Sequence, residues 1–178
     1  MMSDKRLKSV MPKAKSGSGW GPTGVLEIDG HKVFFKRIPL TDLELANAYS
    51  TKNLYRIPTW YNYGIGSAGF GAFRELAAHI KTTNWVREGK LASVPLLHHH
   101  RILTSEQGVP AISNLKGYIS YWNGSKSIER YMVERGKSKQ HLLLFLEYLT
   151  PVSEWMTENP SRLPGMFKEA INVHRSGQ

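Results

Sequence analysis

The stretch GSGWGPTGVLEIDGHKVFFKRIPL, Gly17 to Leu40, places spaced glycines ahead of an extended run, turns at Asp29-Gly30 and returns through a second extended run. Asp-Gly supplies the positive φ angles of a tight primed turn, so Val25–Ile28 and His31–Ile38 read as the strands of a β-hairpin, with Pro39 ending the second. Lys36 stands in that second strand between Phe35 and Ile38. A strand lysine by itself is well explained by a stem lying along the sheet and an ammonium in solvent. Behind a glycine-rich turn and a hairpin, Lys36 becomes a candidate for holding phosphate.

Outward from the hairpin, Asp42–Ala46 reads as a short helical piece. LYRIPTWYNYGIGSAGFGAF then follows, too apolar for a linker and expected to pack as an ordered insertion. Phe73, Leu76, Ala77 and Ile80 recur at i, i+3, i+4 and i+7, which predicts a helix from Ala72 to Trp85. Two further extended segments are predicted, Val94–Leu103 and Ala111–Trp122, around the polar turn Ser105–Gly108. Ser125–Lys139 reads as a helix or a loop. The unbroken apolar run His141–Leu149 has the pattern of a strand buried on both faces. Short helices are expected over Val152–Thr157 and from Pro164 to Val173, with a turn at Asn159-Pro160.

At 178 residues and 40% apolar, the chain is long enough for one sizeable core. No apolar run approaches membrane-span length, and the basic N-terminus lacks the apolar centre of a secretory signal, so a cytoplasmic location and no membrane association are expected. The absence of cysteine excludes disulfides and thiolate metal sites. Of the formal charge of +10, residues 1–15 carry +4, five cations against Asp4. Residues 1–16 therefore read as a flexible basic tail, able to touch nucleic acid or an acidic surface.

Other chemistry-bearing residues are weaker candidates. In His98-His99-His100, strand alternation lets only His98 and His100 cooperate, and no third ligand is placed, so no metal site is expected. Trp20, Trp60, Tyr61 and Tyr63 either stack on bases or fill the insertion's own core. Asn123-Gly124-Ser125 matches a glycosylation acceptor that has no role in a cytosolic chain.

Taken in chain order, the motifs resemble the ATP-binding lobe of a protein kinase. Gly19-x-Gly21-x-x-Gly24 matches the glycine-rich loop, Val33-Phe34-Phe35-Lys36 stands where kinases carry their phosphate-binding lysine, and FRELAAH offers Glu75 on the next helix. LEYLTPVSEWM, Leu146–Met156, resembles the hinge. More narrowly, VFFKRIPLTDLE, YGIGSAGFGAFRELAAHIKTTNWV and LLFLEYL are similar to a family of bacterial kinase-like proteins, and the resemblance extends over residues 17–175.

The resemblance implies an α+β fold: a five-stranded antiparallel sheet, an αC-type helix, an inserted aromatic and glycine-rich segment and short C-terminal helices. It divides the chain into the tail 1–16, the lobe 17–149 and a hinge with the start of a second lobe, 150–178. It implies ATP with magnesium as ligand, held by the backbone at Gly19, Gly21 and Gly24 and by Lys36 paired to Glu75. The Glu147 carbonyl and the Leu149 amide would meet the adenine edge beside Leu146 as gatekeeper. Glu75 lies off the apolar stripe, which leaves a surface carboxylate beside Arg74 as the alternative reading, and the insertion between Lys36 and Glu75 departs from the usual spacing.

The chain has no match to the catalytic-loop aspartate, its asparagine or the DFG-type aspartate, and His174-Arg175 is only an echo of the first. It is therefore expected to be a lobe truncated ahead of its catalytic partner, incompetent by itself in phosphotransfer. A protein partner or self-association is expected over Trp155, Met156, Phe167 and Ile171. The reading from another class is a non-enzymatic interaction module, binding a protein or nucleic acid through the basic tail and the C-terminal helix.

Overall fold

The computed structural model describes Asp4, Leu7 and residues 22–69, 71–104, 112–150, 152–158 and 160–162. The fold is α+β. Four strands, β1 (Thr23–Ile28), β2 (His31–Leu40), β3 (Leu97–Thr104) and β4 (Gln140–Glu147), form one antiparallel sheet in the order β1-β2-β4-β3. The helices are α1 (Asp42–Ala46), α2 (Ala72–Arg87), α3 (Leu115–Tyr121), α4 (Lys126–Gly136) and α5 (Val152–Glu158), with 3₁₀ turns at Thr59–Tyr63 and Pro160–Arg162. The chain divides into two compact units, Met1–Tyr148 and Leu149–Gln178; of the second, α5 and the turn at Pro160–Arg162 are described.

The hairpin closes as its turn residues require: Ile28 pairs with His31, and Asp29 and Gly30 both take positive φ, 51° and 80°. Pro39 does not end β2, which continues to Leu40 and pairs Pro39 with His141. The Arg37 amide donates to the Pro22 carbonyl on the β1 side, so the missing N–H of Pro39, two residues on, falls on that same side beyond the start of β1.

β4 is buried on both faces, as its apolar run predicts. Leu142, Leu144 and Leu146 join Ile38, Leu40 and the α2 residues Ala72, Phe73 and Leu76 in one core. Leu143 and Phe145 join Leu26, Phe35 and Leu103 on the opposite face. Leu7 completes that second cluster, only 4% exposed, and Asp4 pairs with Arg101 of β3 at 2.8 Å. Both residues are helical. The expectation of a solvated arm over residues 1–16 is thereby corrected at these two positions: Leu7 adds its side chain to the cluster on that face of the sheet.

The five-stranded expectation is corrected to four strands among the described residues. The segment assigned to the fifth, Ala111–Trp122, contains α3 instead; Ala111 itself lies outside the described residues. The Asn114 side chain accepts the Gly117 amide at 2.8 Å and starts the helix. Leu115, Tyr118, Ile119 and Trp122, at helical spacing, then turn onto a third core with Tyr55, Ile57 and Tyr61 of the insertion and Ile128, Tyr131 and Met132 of α4. The insertion is thus ordered, and its aromatics build a helical half beside the sheet.

Candidate functional site

Strand alternation puts Lys36 on the same face as Phe34, Ile38 and Leu40, the face covered by α2. Glu75 sits in the first turn of that helix. The two meet, Lys36 Nζ to Glu75 Oε1 at 2.6 Å, although 39 residues separate them in sequence. Of the insertion between them, Leu54, Tyr55, Ile57, Tyr61 and Ala68 are drawn into the helical core. Both partners keep part of their surface in solvent, 27% for Lys36 and 33% for Glu75. The ammonium is therefore held by a carboxylate within a partly exposed pair.

Two residues absent from the sequence reading complete the surroundings. His79, one turn after Glu75, brings Nε2 to 3.9 Å from the same Oε1. Burial holds its imidazole below the ordinary histidine range; Glu75 pulls it up and Lys36 pushes it further down. The second is Glu44. Its Oε2 accepts from the Thr41 amide and hydroxyl, both at 2.9 Å, and its Oε1 from the Ala72 amide at 2.9 Å, so one buried carboxylate caps α1 and anchors the start of α2. Thr41-x-x-Glu44 is the sequence signal for the first half of that arrangement. The inward stripe of α2 also differs from the expected one: Ile80 is exposed and Thr83 buried, its hydroxyl accepting the Leu97 amide at 2.8 Å.

The other expected site residues are placed as follows. Gly19, Gly21 and Trp20 lie outside the described residues. Gly24 is within β1 opposite Phe35, and a Cβ there would stand 2.5 Å from the Phe35 ring, so packing alone demands glycine at this position. Leu146 is buried beneath α2. Glu147 is joined to the approach to β3, its amide donating to the Leu96 carbonyl at 2.8 Å and its carboxylate accepting the Leu96 amide at 3.1 Å. Leu149 is 54% exposed and belongs to the second unit. Trp155 is half-buried, while Phe167, Ile171 and the helix expected from Pro164 fall outside the described residues, as does the Met156 side chain.

The histidine triplet is rearranged by a β-bulge between Leu97 and His99. His99 pairs with Phe145 and stacks on its ring at 5.8 Å, and His100 pairs with Leu144 on the α2 face. His98 is the extra residue, so the simple alternation that paired it with His100 is broken. Among the described residues no group of three or more His, Asp or Glu is placed to hold a metal ion. Of the insertion's aromatics, Tyr61 is buried, its hydroxyl 2.5 Å from that of Tyr118 and accepting the Ala68 amide at 2.9 Å. Trp60 and Tyr63 remain exposed. No helix among the described residues is long and apolar enough to cross a membrane. Comparison with protein-family models, with curated proteins and with solved structures finds no match to this chain.

Proposed function

We propose that the first unit is the ATP-binding lobe of a kinase-like phosphotransferase, with Lys36 as the cation for the nucleotide's phosphates and Glu75 as the group that positions it. One observation carries the reading: a strand lysine behind a hairpin is held at 2.6 Å by a helix glutamate, with both still open to solvent. A purely structural surface pair contributes little to stability, whereas a pre-positioned, partly exposed ammonium suits an anionic ligand. In this reading α2 acts as the αC-type helix, and the glycine-rich segment that ends at Gly24 is assigned to the phosphates. The Glu147 carbonyl receives adenine; Leu149, expected beside it, belongs to the second unit. Magnesium arrives with the nucleotide. Orientation of an acceptor hydroxyl requires a catalytic aspartate that no motif of this chain supplies, so a second lobe completes the chemistry.

Magnesium ATP at millimolar concentration raises the melting temperature by mass action. Lys36→Ala and Glu75→Gln reduce that shift more than Lys32→Ala, which alters an exposed lysine of the same strand. Equal shifts in all three variants, or none in the parent chain, refute the assignment. The chain alone is expected to transfer no phosphate, and transfer abolished by Lys36→Ala would overturn the requirement for a second lobe.

A further inference from the structure

The inward line of α2 runs through Ala72, Leu76, His79 and Thr83; Ala72, Leu76 and Thr83 are buried, and Ile80, one position after His79, is exposed. A place in that line filled for packing alone takes an apolar side chain, as Leu76 does. Position 79 instead holds an imidazole one helical turn beyond Glu75, the spacing that brings two side chains together on one helix face. An ammonium and an imidazole thereby converge on a single atom: Glu75 Oε1 has Lys36 Nζ at 2.6 Å and His79 Nε2 at 3.9 Å.

The two hold that oxygen differently. Lys36 is in contact with it, whereas the imidazole stands beyond hydrogen-bonding distance and, uncharged, has no charge with which to draw the carboxylate. Burial keeps the ring uncharged to lower pH than an ordinary histidine. Once protonated, it presents a second cation to an oxygen that already holds one, and about 1 Å of movement by the Glu75 side chain brings the two to hydrogen-bonding distance. Around α2, β2 contributes Lys36 and, farther along the strand, Lys32, which lies over the Tyr148 ring. On β3, His100 lies against Tyr49, with ring centroids 6.3 Å apart, and β4 presents Leu142, Leu144 and Leu146 on this face. Glu44 of α1 is engaged at Ala72, about two turns back along the helix. Glu75 is therefore the carboxylate on which both nitrogens depend.

We propose that His79 is a positioning residue that shares Glu75 with Lys36: uncharged, it leaves the carboxylate to the lysine, and protonated, it draws the carboxylate away and releases the ammonium. Acidification then loosens the hold on the phosphate-binding cation, a consequence that rests on the nucleotide reading, whereas the exchange itself does not. The test uses the full chain without nucleotide. In a ring NMR titration, the His79 midpoint is expected to move to lower pH in Glu75→Gln, which removes the attracting charge, and to higher pH in Lys36→Met, which removes the repelling one. A double-mutant cycle over the same two substitutions, measured by denaturant unfolding above and below the His79 midpoint, reads the coupling between Lys36 and Glu75. That coupling is expected to fall below the midpoint in the parent and to be equal on both sides in the His79→Gln background. A side chain that merely fills space at position 79 changes stability and leaves the coupling alone. Midpoints unmoved in both variants overturn the proposal. So does a coupling equal at both pH values in the parent, or one that falls as much without His79 as with it, the mark of Glu75 taking up the proton itself. The titration leaves position 79 unaltered, so it decides the matter even where His79→Gln fails to fold, and the absence of nucleotide keeps the result separate from whether ATP binds.

Discussion

The Glu44 carboxylate is buried and accepts three hydrogen bonds, from the Thr41 amide, the Thr41 hydroxyl and the Ala72 amide. Glu44→Ala leaves those donors without a partner and is expected to cost about 3 kcal/mol, measured by denaturant unfolding. Gly71→Ala is expected to be unfavourable for two reasons, since φ is 130° and a Cβ would stand 2.7 Å from Glu44 Oε1. His141 gives a pH test. It is 1% exposed, neither ring nitrogen has a hydrogen-bond partner among the described residues, and burial, with Arg37 and Arg135 adding repulsion, pushes its pKa from 6.5 down to about 4. The unfolded chain therefore binds the proton more tightly, so stability is highest above about pH 6.5 and is lost as pH falls toward 4. The melting temperature of the parent is expected to fall more steeply across that window than that of His141→Leu; parallel curves would refute it. At this scale the meeting of Lys36 and Glu75 was expected from the resemblance, across an insertion that departs from the usual spacing, and not from any spacing local to the two residues. The bond from Glu44 to Ala72 joins residues of separate elements, and no local periodicity encodes it.

Among the elements, β2 and β4 were legible because alternation and an unbroken apolar run each admit one placement on a sheet. α3 was not. Ile112, Tyr118, Ile119, Tyr121 and Trp122 all favour extended structure, and that preference masked the i, i+3, i+4, i+7 recurrence through Leu115, Tyr118, Ile119 and Trp122. Packing on the insertion's aromatics decides the matter. The bulge at His98 was equally hidden, since its cause is the fit of Leu97 and His99 to opposite faces of β4. The N-terminal segment shows the converse error, a charged composition concealing one apolar anchor. Leu7→Ala is expected to lower stability by about 2–4 kcal/mol, as a core leucine would. Removal of residues 1–15 should cost at least as much, because it also breaks the pair between Asp4 and Arg101. An unchanged unfolding midpoint in both variants would show the segment to be dispensable.

For the molecule as a whole, the α+β class that the resemblance implies matches the fold, but its division into a sheet half and an aromatic helical half appears only once the third core is seen. The pairing of β2 with β4 has a kinetic consequence. The hairpin of β1 and β2 closes across two residues, whereas the centre of the sheet joins Leu40 to Gln140, so everything from α1 to α4 must be spanned before it can zip. Loop-closure entropy makes such contacts late and slow. In pulse-labelled refolding, the amides of the hairpin and α4 are expected to gain protection before those of β4. Leu143→Ala should then accelerate unfolding while leaving the folding rate nearly unchanged. Simultaneous protection would contradict that order. Until β4 docks, the hairpin exposes Phe35 on one face and Ile38 on the other beside a vacant strand edge. The hazard of misassociation therefore belongs to the nascent chain, in the interval between synthesis of β2 and arrival of β4.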